Sequence, residues 1–256
     1  MIRVLLTAPL KQDPRFFKEY QESIDNLIIP EGVELSRFFV VNDCPEVIPL
    51  IHDAEHVVRN TGDKYVKNNR THIWTEANLN KMPALRNETI RKALDDGFDY
   101  WWSVDTDLVL RPQTLKVLLD ADKDIVTEAF WTDGWCNAWE YDQAKGAKRE
   151  WKTPGLYKIG ASGACTLVKR KVLEAGVDYT PIPLIRKALY GEDRHFCIRA
   201  NVLGFEHWLD SHCPPTHLYT ENHYQLFMKY EKGMKSNGDD RRRQSGDEDH
   251  SRRLQF

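Results

Sequence analysis

Short apolar runs alternate with segments of helical period along the first two hundred residues. IRVLLTA (2–8), bounded by Pro9, has the pattern of a buried strand. Phe16, Phe17, Tyr20, Ile24, Leu27 and Ile28 then recur at helical spacing between Pro14 and Pro30, which predicts a helix. LSRFFVVND (35–43) is a second strand stopping at Asn42-Asp43, and HVVRN (56–60) a third. From Met82 the helical period returns: Met82, Leu85, Ile90, Ala93 and Leu94 share a face. Glu88 and Lys92 are spaced for an i,i+4 pair, and Gly97 stands where a C-terminal cap belongs. DYWWSV follows as a strand, PQTLKVLLDA as a helix opened by Pro112, and DIVTEAF (124–130) as a strand again. Residues 131–158 keep no steady period and read as loops with short strands. GASGACTLVKRKVLEAG (160–176) gives a small-residue loop, a strand and a helix. GEDRHFCIRANVLGF (191–205) is a helix with two acids at its start and Gly204 at its end. HWLD is a short strand and CPPTHLY a rigid loop.

Strand–helix alternation of this kind predicts an α/β fold, a mostly parallel sheet flanked by helices. At 256 residues one domain is expected. The formal net charge of −3 is mixed along the chain, so no global field favours nucleic acid or an anionic membrane surface. No apolar run approaches the ~20 residues of a membrane span. Cys44, Cys136, Cys165, Cys197 and Cys213 are odd in number and lack CxxC spacing, which fits reduced thiols and neither a disulfide frame nor a zinc site. The opening MIRVLLTAPLKQDP is too soon interrupted to be a signal peptide, and a cytoplasmic location is expected. From about Lys232 the chain turns polar, and a flexible tail is predicted for 232–256.

The chemistry begins at FDYWWSVDTDLVL (98–110), where an apolar strand runs into Asp105-Thr106-Asp107. In open α/β sheets ligands bind at the carboxyl ends of strands, and strand alternation would put both carboxylates on one side. Two neighbouring acids raise each other's pKa unless something positive sits between them. Mg²⁺ or Mn²⁺, with positions left open for phosphate oxygens, meets that need; the alternative is that the acids only cap the loop before Pro112. Thr7-Ala8-Pro9 and Asp43, at the ends of two other strands, are placed to share the crevice. Lys81 and Arg86 flank the helix leading to Asp105 and offer charge to a diphosphate, or else form a solvated helix face.

This order of motifs resembles the GT-A glycosyltransferases, most closely their family 2-like branch, over residues 2–220. KMPALRNETIRKALDDGFDYWWSVDTDLVL is similar to the segment in which an Ala-Arg-Asn-like helix precedes the acidic metal motif. GEDRHFCIRANVLGF is similar to the later Glu-Asp motif with Arg199 six residues after Asp193, and THLY offers His217 at the place of a C-terminal metal histidine. The second strand departs from the family in ending VNDCPE, and Glu88 stands where Gly is common. The resemblance implies a GT-A domain over 1–231, with a nucleotide-binding half (1–110) and an acceptor half (111–231). It implies Thr7, Ala8, Pro9, Asp43, Lys81, Arg86, Asp105 and Thr106 as donor-binding residues, and Asp105, Asp107 and His217 as ligands of Mn²⁺ or Mg²⁺.

Asp193 is then the general base of an inverting transfer, with Glu192 shaping the pocket. The partners implied are a nucleoside-diphosphate sugar, UDP-sugar favoured, and a glycan, lipid-linked or other hydroxyl acceptor. GASGA (160–164) resembles a loop that lets a sugar approach the backbone. Trp131, Trp135, Trp139 and Trp151 are divided between stacking on an acceptor and core packing. Two rivals remain. A nucleotidyltransferase shares such a sheet, although TAPLKQDPR lacks that family's glycines; a catalytically silent carbohydrate-binding or assembly protein would keep the fold alone.

Overall fold

A computed structural model describes residues 1–62, 66–67, 72–73, 76–140, 151–183 and 191–232. The tail predicted for 232–256 therefore lies outside the described residues from 233 onward, as does 141–150 of the irregular middle. The central feature is an eight-stranded sheet. In chain order its strands are β1 (Ile2–Leu10), β2 (Val33–Asn42), β3 (Glu55–Arg59), β4 (Tyr100–Ser103), β5 (Ile125–Glu128), β6 (Leu156–Ile159), β7 (Thr166–Lys169) and β8 (His207–Asp210). The spatial order is β6-β8-β5-β7-β4-β1-β2-β3. The pairs β8/β5, β4/β1, β1/β2 and β2/β3 are parallel. β7 lies antiparallel between β4 and β5, and edge strand β6 is antiparallel to β8. Six strands thus point the same way, and their carboxyl ends form one edge.

The strands read as unbroken apolar runs because the sheet is covered on both faces. On one face Val4, Leu6, Ala8 and Leu10 pack with Trp102, Val126, Leu167 and helix α1 (Pro14–Asp25), which contributes Phe17, Tyr20 and Ile24. On the other, Leu5, Trp101, Ile125 and Val168 pack with α2 (Glu76–Asp95) through Leu85, Ile90 and Ala93. Also on that face are Val172 of a one-turn helix (Arg170–Glu174) and Phe196 and Ala200 of a longer one (Glu192–Val202). Neighbours in sequence go to opposite faces, as with Trp101 and Trp102, which is the period of two at work. A helix over Thr114–Asp120 follows β4 and one over Glu221–Phe227 follows β8, so among the described residues the α-helices in chain order are α1, α2, α3 (Thr114–Asp120), α4 (Arg170–Glu174), α5 (Glu192–Val202) and α6 (Glu221–Phe227).

Several local expectations are corrected. β1 does not end at Thr7-Ala8-Pro9 but runs on to Leu10. Pro9 is tolerated because β4 pairs with β1 only as far as Thr7, so Pro9 has a strand neighbour on the β2 side alone. Glu88 does not pair with Lys92: it meets Arg59 of β3, while Lys92 bonds Glu55 at 2.6 Å and Asp96 at 2.8 Å. Each of the two residues thus takes a partner from β3, and Lys92 keeps an i,i+4 pair with Asp96 in place of one with Glu88. α3 starts at Thr114, two residues after Pro112, where the Thr114 hydroxyl and the Arg111 backbone bond each other. Gly97, at φ +73°, does close α2 as expected, with Phe98 N–H donating to the Ala93 carbonyl at 3.0 Å. All five cysteines are free and buried.

Candidate active site

The β4 strand stops at Ser103, so Asp105 and Asp107 are set by a turn and not by strand alternation. The turn is closed by Leu108 N–H donating to the Asp105 carbonyl at 3.1 Å. Freed from the strand, the two carboxylates go to different partners. Asp105 accepts from Arg86 at 2.9 Å, and Asp107 faces His217 at 3.2 Å.

Arg86 is the hub. It is buried in α2 and donates through Nη2 to Asp105, through Nε to Glu192 at 3.0 Å and through Nη1 to the Ser103 hydroxyl at 3.1 Å. Its guanidinium also sits 5.5 Å from the centre of the Tyr179 ring. Tyr179 is held there by Asn87, which accepts from its N–H at 2.8 Å, and by Arg199, which bonds the Asp178 and Thr180 carbonyls. Arg86 is therefore committed to the two acidic motifs. Burial, and the charge of Asp107 and Glu192, push the Asp105 carboxyl up from its ordinary range, and Arg86 opposes them.

His217 reaches this edge although far off in sequence because Thr216–His217 pairs antiparallel with Leu108–Val109. Leu218 N–H donates to the Asp107 carbonyl at 2.7 Å, which ties the two segments at the acid itself. The other imidazole nitrogen, Nδ1, lies 2.6 Å from the Thr132 hydroxyl, and Phe130 and Tyr219 pack against the ring.

Glu192 and Asp193 open α5. Asp193 Oδ1 is buried and has no hydrogen-bond partner among the described residues. Its carboxyl is pushed up to about 8, first by burial and then by Glu192, with Arg86 pulling the other way. The carboxylate lies against Gly163: a Cβ there would stand 2.3 Å from Oδ2 and 2.6 Å from Cγ. Asn137 fixes the Gly163 backbone by donating to its carbonyl at 3.1 Å. Gly163→Ala should therefore displace Asp193. A displacement of about 1 Å at a reacting group costs about 10²-fold in rate, to be read as kcat of a variant that circular dichroism shows to be folded.

Of the other expected donor-binding residues, Thr7 and Ala8 are wholly buried in β1 and Thr106 is buried in the turn, with Pro9 partly covered. Asp43 follows the last residue of β2, at φ +50°, and accepts from the N–H groups of Thr61 and Gly62 and the Thr61 hydroxyl. Lys81 donates to the Thr61 carbonyl at 2.6 Å, so Asp43 and Lys81 meet at one loop, apart from the Arg86 partners. The small-residue segment is no open loop: Ala161–Ser162 pairs with Ala138–Trp139 and is buried, and Gly163 is in close contact with Asp193. Trp131 and Trp151 pack on a small core cluster, Trp139 lies under the Arg194 guanidinium at 4.7 Å, and Trp135 is 52% exposed.

Among the described residues no three His, Cys, Asp or Glu side chains converge as a metal cage. Asp107 and His217 supply two donors, 3.2 Å apart. Ligands on adjacent corners of an octahedron with bonds of about 2.1 Å stand about 3 Å apart. The separation of the pair thus fits two adjacent positions around a hard cation.

No protein-family model and no curated protein matches the chain. Solved structures do. Residues 1–349 of S. aureus TarS align with TM-score 0.50 and 14% identity, over 84% of this chain and 59% of that one. The same fragment with UDP aligns with TM-score 0.51 and 13% identity, again over 84% and 59%. The chain has a GT-A-like fold. It spans 59% of the length of the TarS fragment. In this GT-A-like chain the Asp105–Asp107 turn, the start of α5 and the His217 strand all lie at the carboxyl edge of the sheet's common strand direction, where α/β folds bind ligands. No described helix is long and apolar enough to cross a membrane.

Proposed function

We propose that the protein is a metal-dependent, inverting glycosyltransferase that moves a sugar from a nucleoside diphosphate to an acceptor hydroxyl. The observation that carries this is the Arg86 hub: one buried cation joins the acid of the 105–107 turn to the acid opening α5. Leaving-group chemistry and proton-transfer chemistry are thereby held in a single cluster. A Mn²⁺ or Mg²⁺ bound by Asp107 and His217 would supply Lewis-acid stabilisation of the departing diphosphate. Thr132 and Phe130 orient the imidazole, and the backbone bond from Leu218 to Asp107 sets the reach between the two donors.

Asp193 serves as the base. Its ionised form is costly in its buried place, so it gains by taking the acceptor proton from the hydroxyl as the hydroxyl attacks. Glu192 is engaged by Arg86 and orders the helix start beside that base. Asp43 and Lys81 define the donor's other flank, and the UDP complex of TarS favours a uridine nucleotide.

A panel of nucleoside-diphosphate sugars with Mn²⁺ tests the reading. One donor should release its nucleoside diphosphate, and excess EDTA should stop it. Asp107→Ala should abolish, and His217→Ala weaken, cation-dependent nucleotide binding in calorimetry, with both variants still folded. Undiminished turnover in EDTA would refute metal dependence.

A further inference from the structure

The ring of His217 has two partners that place opposite demands on its proton. An ionised Asp107 only accepts, so with no cation between them the Nε2 facing it at 3.2 Å carries the hydrogen. Nδ1 then accepts from the Thr132 hydroxyl at 2.6 Å. A cation on Nε2 requires a bare lone pair there, so the ring hydrogen must move to Nδ1 by exchange with solvent. Nδ1–H then needs an acceptor in a half-buried place. A hydroxyl is both donor and acceptor, and Thr132 can reverse its role by rotating one bond while its oxygen stays in position.

We propose that Thr132 is a positioning residue that sets the His217 tautomer, making the imidazole available to a cation only by turning from donor to acceptor. This rests on the reading of Asp107 and His217 as a cation site. The hairpin that carries Thr132 is built to hold its oxygen still. Trp131–Thr132 pairs with Trp135–Cys136, and Asp133 and Gly134 between them take φ +49° and +83°. Positive φ at both central residues makes the two-residue turn whose twist matches the strands it joins. The tip is tied to α6, where His223 Nε2 lies 3.4 Å from Asp133. The metal-bound histidines of proteins commonly fix their second nitrogen in this way, and loss of that partner typically costs 10–100-fold in metal affinity. Here the partner is a hydroxyl, which follows the ring hydrogen into either state, and the cation-bound ring, whose Nδ1–H is the more strongly polarised donor, gains the more from it.

Valine has the shape of threonine and can neither donate nor accept at this position. The test uses the full chain, ¹⁵N-labelled at histidine, with Mg²⁺ alone and Mg²⁺ with inorganic pyrophosphate as probes. The His217 signals, assigned by their loss in His217→Ala, should shift in wild type from the Nε2–H to the Nδ1–H tautomer when the cation binds. Calorimetry on Thr132→Val should give a cation affinity roughly 10–100-fold weaker, and Thr132→Ser should return it to near wild type. Equal affinities for wild type and Thr132→Val, with the tautomer shift intact, would overturn the role of Thr132 while leaving the cation site standing. If wild-type His217 signals ignore the cation, the site reading itself fails, and the inference with it. Should Thr132→Val not fold, Thr132→Ala takes its place in the calorimetry, and an affinity equal to that of wild type there would likewise overturn the role of Thr132.

Discussion

Asp193→Asn should lose about 10²–10⁴-fold in kcat, the usual share of a positioned base, with the donor KM little changed. The interaction with the acceptor proton develops in the transition state, so it belongs in kcat and not in donor binding. Because burial, with Glu192 adding, holds the Asp193 carboxyl at about 8, wild-type rates should climb as pH rises towards 8 and level above it. In the Asn variant that limb should vanish. Stability should move in the opposite sense. The folded carboxyl prefers its proton more than the unfolded one does, so what the protonated form contributes is full below about pH 4 and is lost as pH rises through about 8. The uncharged amide escapes that loss, and the variant should melt higher than wild type at pH 8. A slower yet more stable enzyme is a signature that general misfolding cannot produce. A variant with near wild-type rate would remove Asp193 from the chemistry.

Arg86→Met has the largest expected effect on the fold. It leaves two acids without their shared cation, Asp105, 34% exposed at its side chain, and Glu192, 7% exposed and the one that makes the loss costly. Breaking a buried ion pair from one side costs about 3–5 kcal/mol, because a charge remains where water cannot reach it. At about 2–4 °C per kcal/mol for a domain of this size, the melting temperature should fall by roughly 6–20 °C. Adding Glu192→Gln to Arg86→Met should recover part of the loss, and a thermal melt of the four proteins of that cycle reads the coupling directly. A melting temperature within a degree or two of wild type would mean that Arg86 does not hold the two acids together.

The strands and helices that bury a face were legible because burial imposes periodicity: Phe16, Phe17, Tyr20 and Ile24 on α1, or the unbroken run of β1, leave no other reading. What escaped was set by contacts across the fold. Nothing local tells Glu88 that Arg59 will be nearer than Lys92, or lets β1 continue through Pro9 until its neighbour on one side has ended. At the site, Asp105, Asp107, Asp193 and His217 were named from motif order, and the structure brings Asp107 to His217 and Arg86 to the two acidic motifs. Arg86 was expected to offer charge to a diphosphate; its burial, invisible in a string of letters, is what sets it between Asp105 and Glu192. Ser103, Tyr179, Thr132 and Asn137 carried no signal of their own. The Asp133-Gly134 pair did carry one. That dipeptide marks a two-residue hairpin, and it lies unread in a stretch taken as irregular, next to the threonine that meets His217.

The antiparallel wedge β7 has a consequence for how the protein is made. β1, β2, β3 and β4 have all left the ribosome once Ser103 has, and they can pair and cover their faces. The outer side of Tyr100–Ser103 then stays without its neighbour until Thr166–Lys169 has been synthesised, several seconds later at roughly 5–20 residues per second. During that interval the nascent chain shows a bare strand rim bearing Trp101 and Trp102, the kind of rim that recruits a second chain as readily as its own. Greater chaperone supply during that wait should therefore raise the yield of folded chain.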